Sequence, residues 1–261
     1  MRVAALHQDA IVLTSRLWQT NAVALRRGEE AMLIDSTYFP DELDVLPQVM
    51  AQAGFQVVGL LATHADWDHL LGRYAFPSAS LGLGQPSMER MRAEPGKAQL
   101  ALREADAEHY VTRPGPLSLG QAQSLPVPGK LDLGDAEIEL HLADGHTSDG
   151  TAYFARHAGV LVCGDYLSDV EIPMISPGGS VDAYRGTLAR LAPLLEEAER
   201  VVPGHGAAHD RDAALRLLDE DLGYLDALER EEEKPRLPAG RDSAHQRSIH
   251  ARNLQEVGLA R

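Results

Sequence analysis

The stretch Thr63-His64-Ala65-Asp66-Trp67-Asp68-His69 places four potential metal ligands within six residues. His64, Asp66 and Asp68 alternate, so in an extended segment they share one side. His69, next to Asp68, is free to face a second centre. One short loop can therefore serve two neighbouring ions. Imidazole with carboxylate suits zinc, iron or manganese and does not describe a soft thiolate site. The plain alternative is that Asp66 or Asp68 caps a short helix and that the histidines are surface residues. Position argues against it. The loop follows Val57–Leu61, an apolar run that reads as a buried strand, and the end of such a strand is where an α/β protein keeps its chemistry.

Three more ligands sit just past short β-like runs: His146 after Ala136–Leu142, Asp165 after Val160–Cys163, and His205 after Arg200–Val202. Each has glycine on at least one side, which permits tight turns and close approach to an ion. Each alone is weak, because a lone His or Asp in a turn is usually solvated. Together, seven nitrogen and oxygen ligands from four strand ends match what two adjacent metals need, with open positions for water and substrate. Asp35, closing the run Ala31–Ile34, reads by itself as a turn residue. Tyr166 and Tyr184 are candidate proton donors but read first as packing residues. Trp67 reads as packing, and Cys163 as core filler. The histidines at 7, 141, 157, 209, 245 and 250 read as surface or capping residues.

The elements that must hold these residues are patterned clearly. Val3–Leu6, Ile11–Leu17, Asn21–Leu25 and Ala31–Ile34 read as consecutive strands, an antiparallel opening to a mixed sheet. Pro40–Ala53 has helical spacing and stops at Gly54. A short helix over His69–Tyr74 and a strand over Ala79–Leu83 follow the ligand loop. Residues 84–129 look inserted: Gln85–Tyr110 is helical and polar, broken at Pro95-Gly96, and Arg113–Gly129 holds four prolines. We expect a lid or substrate-recognition flap here, with a solvated excursion as the alternative; His109 and Tyr110 could reach a site from it. Lys130–Leu133, Ala136–Leu142, Thr151–Ala155, Val160–Cys163 and Arg200–Val202 read as strands. Val181–Glu199, Arg211–Glu232 and Ala244–Leu254 read as helices, with 208–261 as a C-terminal helical extension of a single domain spanning 1–261.

Composition is that of an ordinary globular chain of 261 residues, 44% hydrophobic and 24% charged. A formal net charge of −15 disfavours nucleic acid or an anionic membrane as partner and leaves a small-molecule substrate as the expectation. One cysteine excludes an internal disulfide and a thiolate cluster. No leader pattern or long apolar run stands out, so a cytoplasmic location is expected. A homodimer is a candidate assembly on which the sequence is silent.

In their order along the chain, His64-Ala65-Asp66-Trp67-Asp68-His69, Gly145-His146-Thr147, Gly164-Asp165 and Pro203-Gly204-His205-Gly206 resemble the metal-binding motifs of the metallo-β-lactamase fold metallohydrolases. The resemblance spans about Asn21 to His205. It implies an α+β fold, a four-layer αβ/βα sandwich, here with a helical insertion and C-terminal helices. It implies His64, Asp66 and His146 on a first metal, Asp68, His69 and His205 on a second, Asp165 bridging, and Asp35 orienting a ligand or the ligand loop from behind. It implies two divalent ions, zinc first with iron or manganese as alternatives, and water activated for hydrolysis of an ester-like bond, with Asp68 helping to orient the nucleophile. Thioesters and lactones rank ahead of phosphodiesters. One position departs from the pattern: hydrolases of the family usually carry His where this chain has Asp66. An extra carboxylate makes each metal a weaker Lewis acid and favours harder ions. Relatives resembling flavodiiron proteins carry Glu there, which keeps a non-hydrolytic, iron-dependent oxidoreductase as the alternative. A non-catalytic interaction module would need no such ligand set.

Overall fold

Alternation along the strands decides the architecture. On Ala10–Thr14, Ala10 and Val12 point one way and Ile11 and Leu13 the other, and the two pairs enter different hydrophobic cores. Tyr153 and Ala155 likewise part from Ala152 and Phe154. Two sheets with both faces apolar must be covered on both sides, and the result is four layers. The computed structural model describes residues 1–120 and 122–259. Gln121 of the 84–129 segment and Ala260 and Arg261 of the C-terminal extension fall outside the described residues.

The first sheet runs in chain order β1 (Arg2–His7), β2 (Ala10–Thr14), β3 (Asn21–Arg27), β4 (Glu30–Asp35), β5 (Gln56–Ala62), β6 (Ser80–Gly84) and β7 (Ala122–Leu125). Strands β1 to β4 pair antiparallel, and β4 to β7 pair parallel. The second sheet has the order β12-β11-β10-β9-β8, built from β8 (Gly129–Leu133), β9 (Ala136–Leu142), β10 (Thr151–Ala155), β11 (Val160–Val162) and β12 (Arg200–Val202). Only β11 and β12 pair parallel in it. Val12, Val23, Leu25, Ile34 and Leu61 of the first sheet meet Ile138, Leu140, Tyr153, Val160 and Val202 of the second in the central core.

Helices α1 (Pro40–Gln52), α2 (Gly72–Ala75), α3 (Gln85–Ala93) and α4 (Lys97–Glu108) cover the outer face of the first sheet. Helices α5 (Val181–Leu195), α6 (Arg211–Glu229) and α7 (Ala244–Leu259) cover the second. This is the expected four-layer sandwich with C-terminal helices. Helix α5 starts at Ser180, whose hydroxyl accepts the Ala183 N–H, and α6 starts at Asp210, whose carboxylate accepts the Ala213 N–H.

Several boundaries differ from expectation for identifiable reasons. The second strand ends at Thr14 rather than Leu17, because residues 15–20 close a hairpin through Ser15 N–H to Thr20 O at 2.8 Å. Trp18 and Gln19 in that turn hold positive φ values of 50° and 53°. Strand β7 is an addition to the expected set: Ala122–Leu125 has no apolar alternation, and it pairs only because β6 offers a parallel edge. The 84–129 segment is also less solvated than its composition suggests. Met88, Leu102, Leu117 and Leu119 are buried in the outer core of the first sheet. His209 and His250 are buried rather than on the surface, and His250 ties α7 to the end of α6 through Tyr224 Oη at 3.0 Å and Glu232 O at 2.7 Å.

Candidate metal centre

The ends of β4, β5, β11 and β12, and the turn between β9 and β10, all open on one edge of the sandwich. The edge is stitched across the two sheets. Thr151 N–H donates to Thr63 O at 2.7 Å, and Asn21 holds the 203–206 turn through Pro203 O at 2.9 Å and Gly206 O at 3.0 Å. These bonds fix the loops that carry the ligands before any ion arrives.

The structure brings all seven predicted ligands together. His64, Asp66 and His146 form one group and Asp68, His69 and His205 another, and the ligand atoms of each lie within 4.8 Å of one another. Asp165 lies between them and divides its oxygens. Its Oδ2 is 3.7 Å from His64 Nε2 and 3.3 Å from His146 Nε2, while Oδ1 is 3.3 Å from His69 Nε2 and 3.6 Å from His205 Nε2. Asp66 Oδ2 faces His64 Nε2 at 3.6 Å, and Asp68 Oδ2 faces His205 Nε2 at 3.3 Å. Spacings of this size are too long for good hydrogen bonds yet suit donors converging on a common ion. His64 Nε2, His69 Nε2 and Asp165 Oδ1 are buried with no hydrogen-bond partner. Orphaned polar atoms at that depth are costly unless something fills the gap. The donor set fits two divalent cations.

Each imidazole is held by its other nitrogen, which aims Nε2 inward. His69 Nδ1 lies 3.0 Å from Asp35 Oδ2, and His146 Nδ1 lies 2.9 Å from Met174 O. His64 Nδ1 is 3.1 Å from Thr63 Oγ1, and His205 Nδ1 is 3.4 Å from Thr20 Oγ1. Asp35 does more than end a strand. Its carboxylate also accepts Thr63 N–H at 2.7 Å and Thr63 Oγ1–H at 2.9 Å, from a backbone with φ of 59°. A non-glycine residue is rarely kept in that left-handed region without cause. Ser36 Oγ donates to Asp68 O and accepts Leu71 N–H, both at 3.0 Å, fixing the 3₁₀ turn Trp67–His69. Gly204 is required by space: a Cβ there would overlap Asp165 Oδ1 and approach His69 Cε1 to 3.0 Å.

Charge in the metal-free cluster is shared out strongly. Burial opposes ionisation of Asp66, but the neighbouring His146 and His64 imidazoles outweigh it and hold the carboxyl well below the usual range. Burial likewise opposes Asp165, and the charges of His205, His69 and His64 outweigh it. Burial disfavours the charged form of His146, yet Asp66 and Asp165 raise its pKa to about 9.

Tyr166 and Tyr184 are committed elsewhere. Tyr166 Oη donates to Asp144 O at 2.8 Å and accepts His146 N–H at 3.0 Å, while Tyr184 Oη donates to Asp165 O at 3.1 Å. Both pin ligand-bearing backbone, and neither hydroxyl is free as a proton donor. Cys163 is buried, with its thiol pushed up by burial. Trp67 packs edge-on against Tyr38 and Trp18, and Trp18 lies 6.4 Å from the His205 ring, centroid to centroid. His109 meets Trp18 and Tyr38 edge-on, whereas Tyr110 is 94% exposed. A cavity of about 600 Å³ opens beside the ligand loop between Asp66, Trp67, Arg90, Met91, Lys97 and Leu117.

Three residues at the centre carry no motif in the sequence. Asp149 accepts Ala65 N–H at 2.9 Å, Arg90 pairs with Asp66 at 2.7 Å, and Glu171 stands within electrostatic reach of His205 with its carboxyl pushed up by burial. Asp149 follows His146 closely enough that a buried turn carboxylate was worth suspecting. Arg90 and Glu171 come from separate segments, and their meeting with the loop is purely tertiary.

The sequence signature of the metallo-beta-lactamase superfamily matches residues 15–205. No curated protein matches the chain. Among solved structures, the metallo-beta-lactamase family protein TTHA1429 from Thermus thermophilus superposes with a TM-score of 0.67 at 20% identity, over 87% of this chain and 82% of its own. DIM-1 metallo-beta-lactamase gives 0.63 at 16% identity over 85% of this chain and 97% of its own. TTHA1623 in a di-iron-bound form gives 0.62 at 24% identity over 79% and 97%. At these identities the superpositions establish the fold and nothing finer.

Proposed function

The chain belongs to the metallo-β-lactamase superfamily, and on that premise we propose that it is a cytoplasmic, binuclear metal-dependent hydrolase of a small-molecule, ester-like substrate. Thioesters and lactones come first, phosphodiesters second. The observation that carries this reading is the division of Asp165 between two ligand groups, each with a buried imidazole nitrogen, His64 Nε2 in one and His69 Nε2 in the other, that has no hydrogen-bond partner. In this reading His64, Asp66 and His146 hold one ion, Asp68, His69 and His205 the other, and Asp165 both. Two divalent ions, zinc first and iron or manganese as alternatives, supply an acidified water and a Lewis acid for the carbonyl or phosphoryl oxygen. With the ions in place, Asp68 would help to orient the nucleophile. Asp35, Thr63 and Met174 O keep the imidazoles aimed. The cavity beside Asp66 and Trp67 takes the part of the substrate that does not react, and the 84–129 segment supplies its wall. The formal charge of −15 fits a small molecule better than nucleic acid.

The test is a screen of chelator-stripped protein reloaded separately with zinc, manganese and ferrous iron, against thioesters, lactones and phosphodiesters. Turnover that disappears with chelator and in both Asp68→Ala and His205→Ala supports the proposal. Loaded protein that hydrolyses none of the three classes, or variants with near-normal turnover, refutes it. A second reading, an iron-dependent oxidoreductase, is favoured by two observations: Asp66 adds a third carboxylate to the ligand set, and TTHA1623 is seen with two irons. Oxygen consumption by the ferrous protein, absent with zinc, would move the assignment to that reading.

A further inference from the structure

Helix α3 hands the centre a residue that the ligand loop does not contain. Arg90 spreads its guanidinium over three carboxylates: Nη2 lies 2.7 Å from Asp66 Oδ1, Nη1 lies 2.8 Å from Asp149 Oδ1, and Nε lies 3.4 Å from Glu94 Oε2. The side chain is 14% exposed, and that of Asp149 is fully buried. Asp149 in turn uses Oδ2 to accept Ala65 N–H at 2.9 Å. The backbone before Asp66 and the carboxylate of Asp66 are thus braced by one connected network. The consequence for Asp66 is a division of labour. Oδ1 is taken by Arg90, and Oδ2 faces His64 Nε2 at 3.6 Å and His146 Nε2 at 3.7 Å.

A carboxylate on a short side chain can otherwise rotate, bind through either oxygen, or turn out to solvent. Asp66 is also one of three carboxylates among the seven candidate ligands, with Asp68 and Asp165. Its charge has to be balanced, and a planar fork matched to carboxylates does so while fixing orientation, which an ammonium does not.

We propose that Arg90 is a positioning residue of the metal centre, which occupies one oxygen of Asp66 so that the ligand binds through the other, and which offsets the charge that a carboxylate brings to that position. This rests on the metal-binding reading of the site. A purely structural role, tying α3 to the ligand loop, makes a different prediction: the effect of losing Arg90 would not depend on what residue 66 is.

The test is a cycle of four full-length proteins: wild type, Arg90→Gln, Asp66→His, and the double variant. Each is stripped of metal and titrated with zinc by calorimetry, and the melting temperature of each metal-free form monitors folding. An imidazole is neutral and does not need the guanidinium. In the wild-type background Arg90→Gln should weaken one of two zinc sites by about 10–100-fold, as loss of a residue supporting a ligand does, and leave the other within a few-fold. In the Asp66→His background it should cost less than about threefold on the same scale. Equal losses in both backgrounds, equal losses at both sites, or two sites of wild-type affinity in Arg90→Gln would overturn the proposal. If Arg90→Gln does not fold, Arg90→Lys replaces it in the cycle: an ammonium keeps the charge but lacks the planar fork that orients Asp66, so a smaller loss is expected and only with Asp66 present, and the same loss with Asp66→His overturns the proposal. Failure of the underlying metal reading is distinguishable, because the wild type itself would then bind no zinc.

Discussion

Substituting Asp35 by Asn isolates what the buried carboxylate behind the ligands does. The change preserves shape and tolerates the positive φ of 59°, since Asn adopts that conformation readily. It cannot preserve the hydrogen bonds. Asp35 accepts from Thr63 N–H, Thr63 Oγ1 and His69 Nδ1 at 2.7, 2.9 and 3.0 Å. An amide has one accepting oxygen. Whichever way it turns, its NH₂ faces either the Thr63 N–H or the His69 Nδ1–H. His69 needs that Nδ1 proton held, because only then does Nε2 present its lone pair inward beside Asp165 Oδ1 at 3.3 Å. A hydrogen bond to a charged group contributes roughly 1.5–3 kcal/mol. At about 1.4 kcal/mol per tenfold, its loss weakens metal binding by roughly 10–150-fold. The assay is competition for zinc between stripped protein and a chromophoric chelator, with the melting temperature of the metal-free form as a control. Wild-type affinity in a folded Asp35→Asn protein would refute the reasoning, since the carboxylate would then serve the fold and not the ligand.

Other consequences are as direct. Gly204→Ala places a methyl group against Asp165 Oδ1; overpacking should cost roughly 1–3 kcal/mol, lower the melting temperature by about 2–4 °C for each of those, and weaken zinc binding, and an unchanged titration would show that Asp165 can move freely. In the metal-free protein, burial opposes the charged form of His146 but Asp66 and Asp165 raise its pKa from 6.5 to about 9. Its contribution to stability is therefore complete below about pH 6.5 and lost as pH rises through about 9. Metal binding needs the neutral ring, so zinc affinity should rise over that same window while metal-free stability falls. Melting curves with and without zinc at about pH 6 and pH 10 should diverge, and parallel curves would contradict the assignment of His146 as a ligand. Ala98→Trp, which fills part of the cavity beside Asp66, should raise KM on the order of tenfold for substrates with a large apolar substituent, equivalent to ~1.4 kcal/mol, and leave small substrates unaffected.

What the sequence makes legible here is what short-range pattern encodes. The four ligand motifs stand at strand ends because an apolar run must stop where its loop begins, and in β9 the alternation of Ile138 and Leu140 with Glu137 and Glu139 marks the face that enters the central core. Asp35 was readable only through family resemblance, because an Asp after a strand is usually a turn residue. Arg90 was not readable. It sits in a helix with polar, paired surroundings, and only the packing of α3 beside the ligand loop turns a surface-like arginine into a partner of Asp66 and Asp149. Strand β7 and buried His250 share that reason: an edge offered by β6, and a gap between α6 and α7 bridged by Tyr224 Oη and Glu232 O, are properties of the assembled fold.

The central claim is that one shared carboxylate and two sets of three side chains bind two ions. Elemental analysis of protein purified without chelator or added metal, followed by calorimetric titration of the stripped protein, tests it most directly. The account predicts about two divalent ions per chain, with Asp165→Ala impairing both sites and His146→Ala or His205→Ala impairing one each. A chain that binds no divalent ion after reconstitution, or one ion whose affinity is indifferent to all three substitutions, would contradict it.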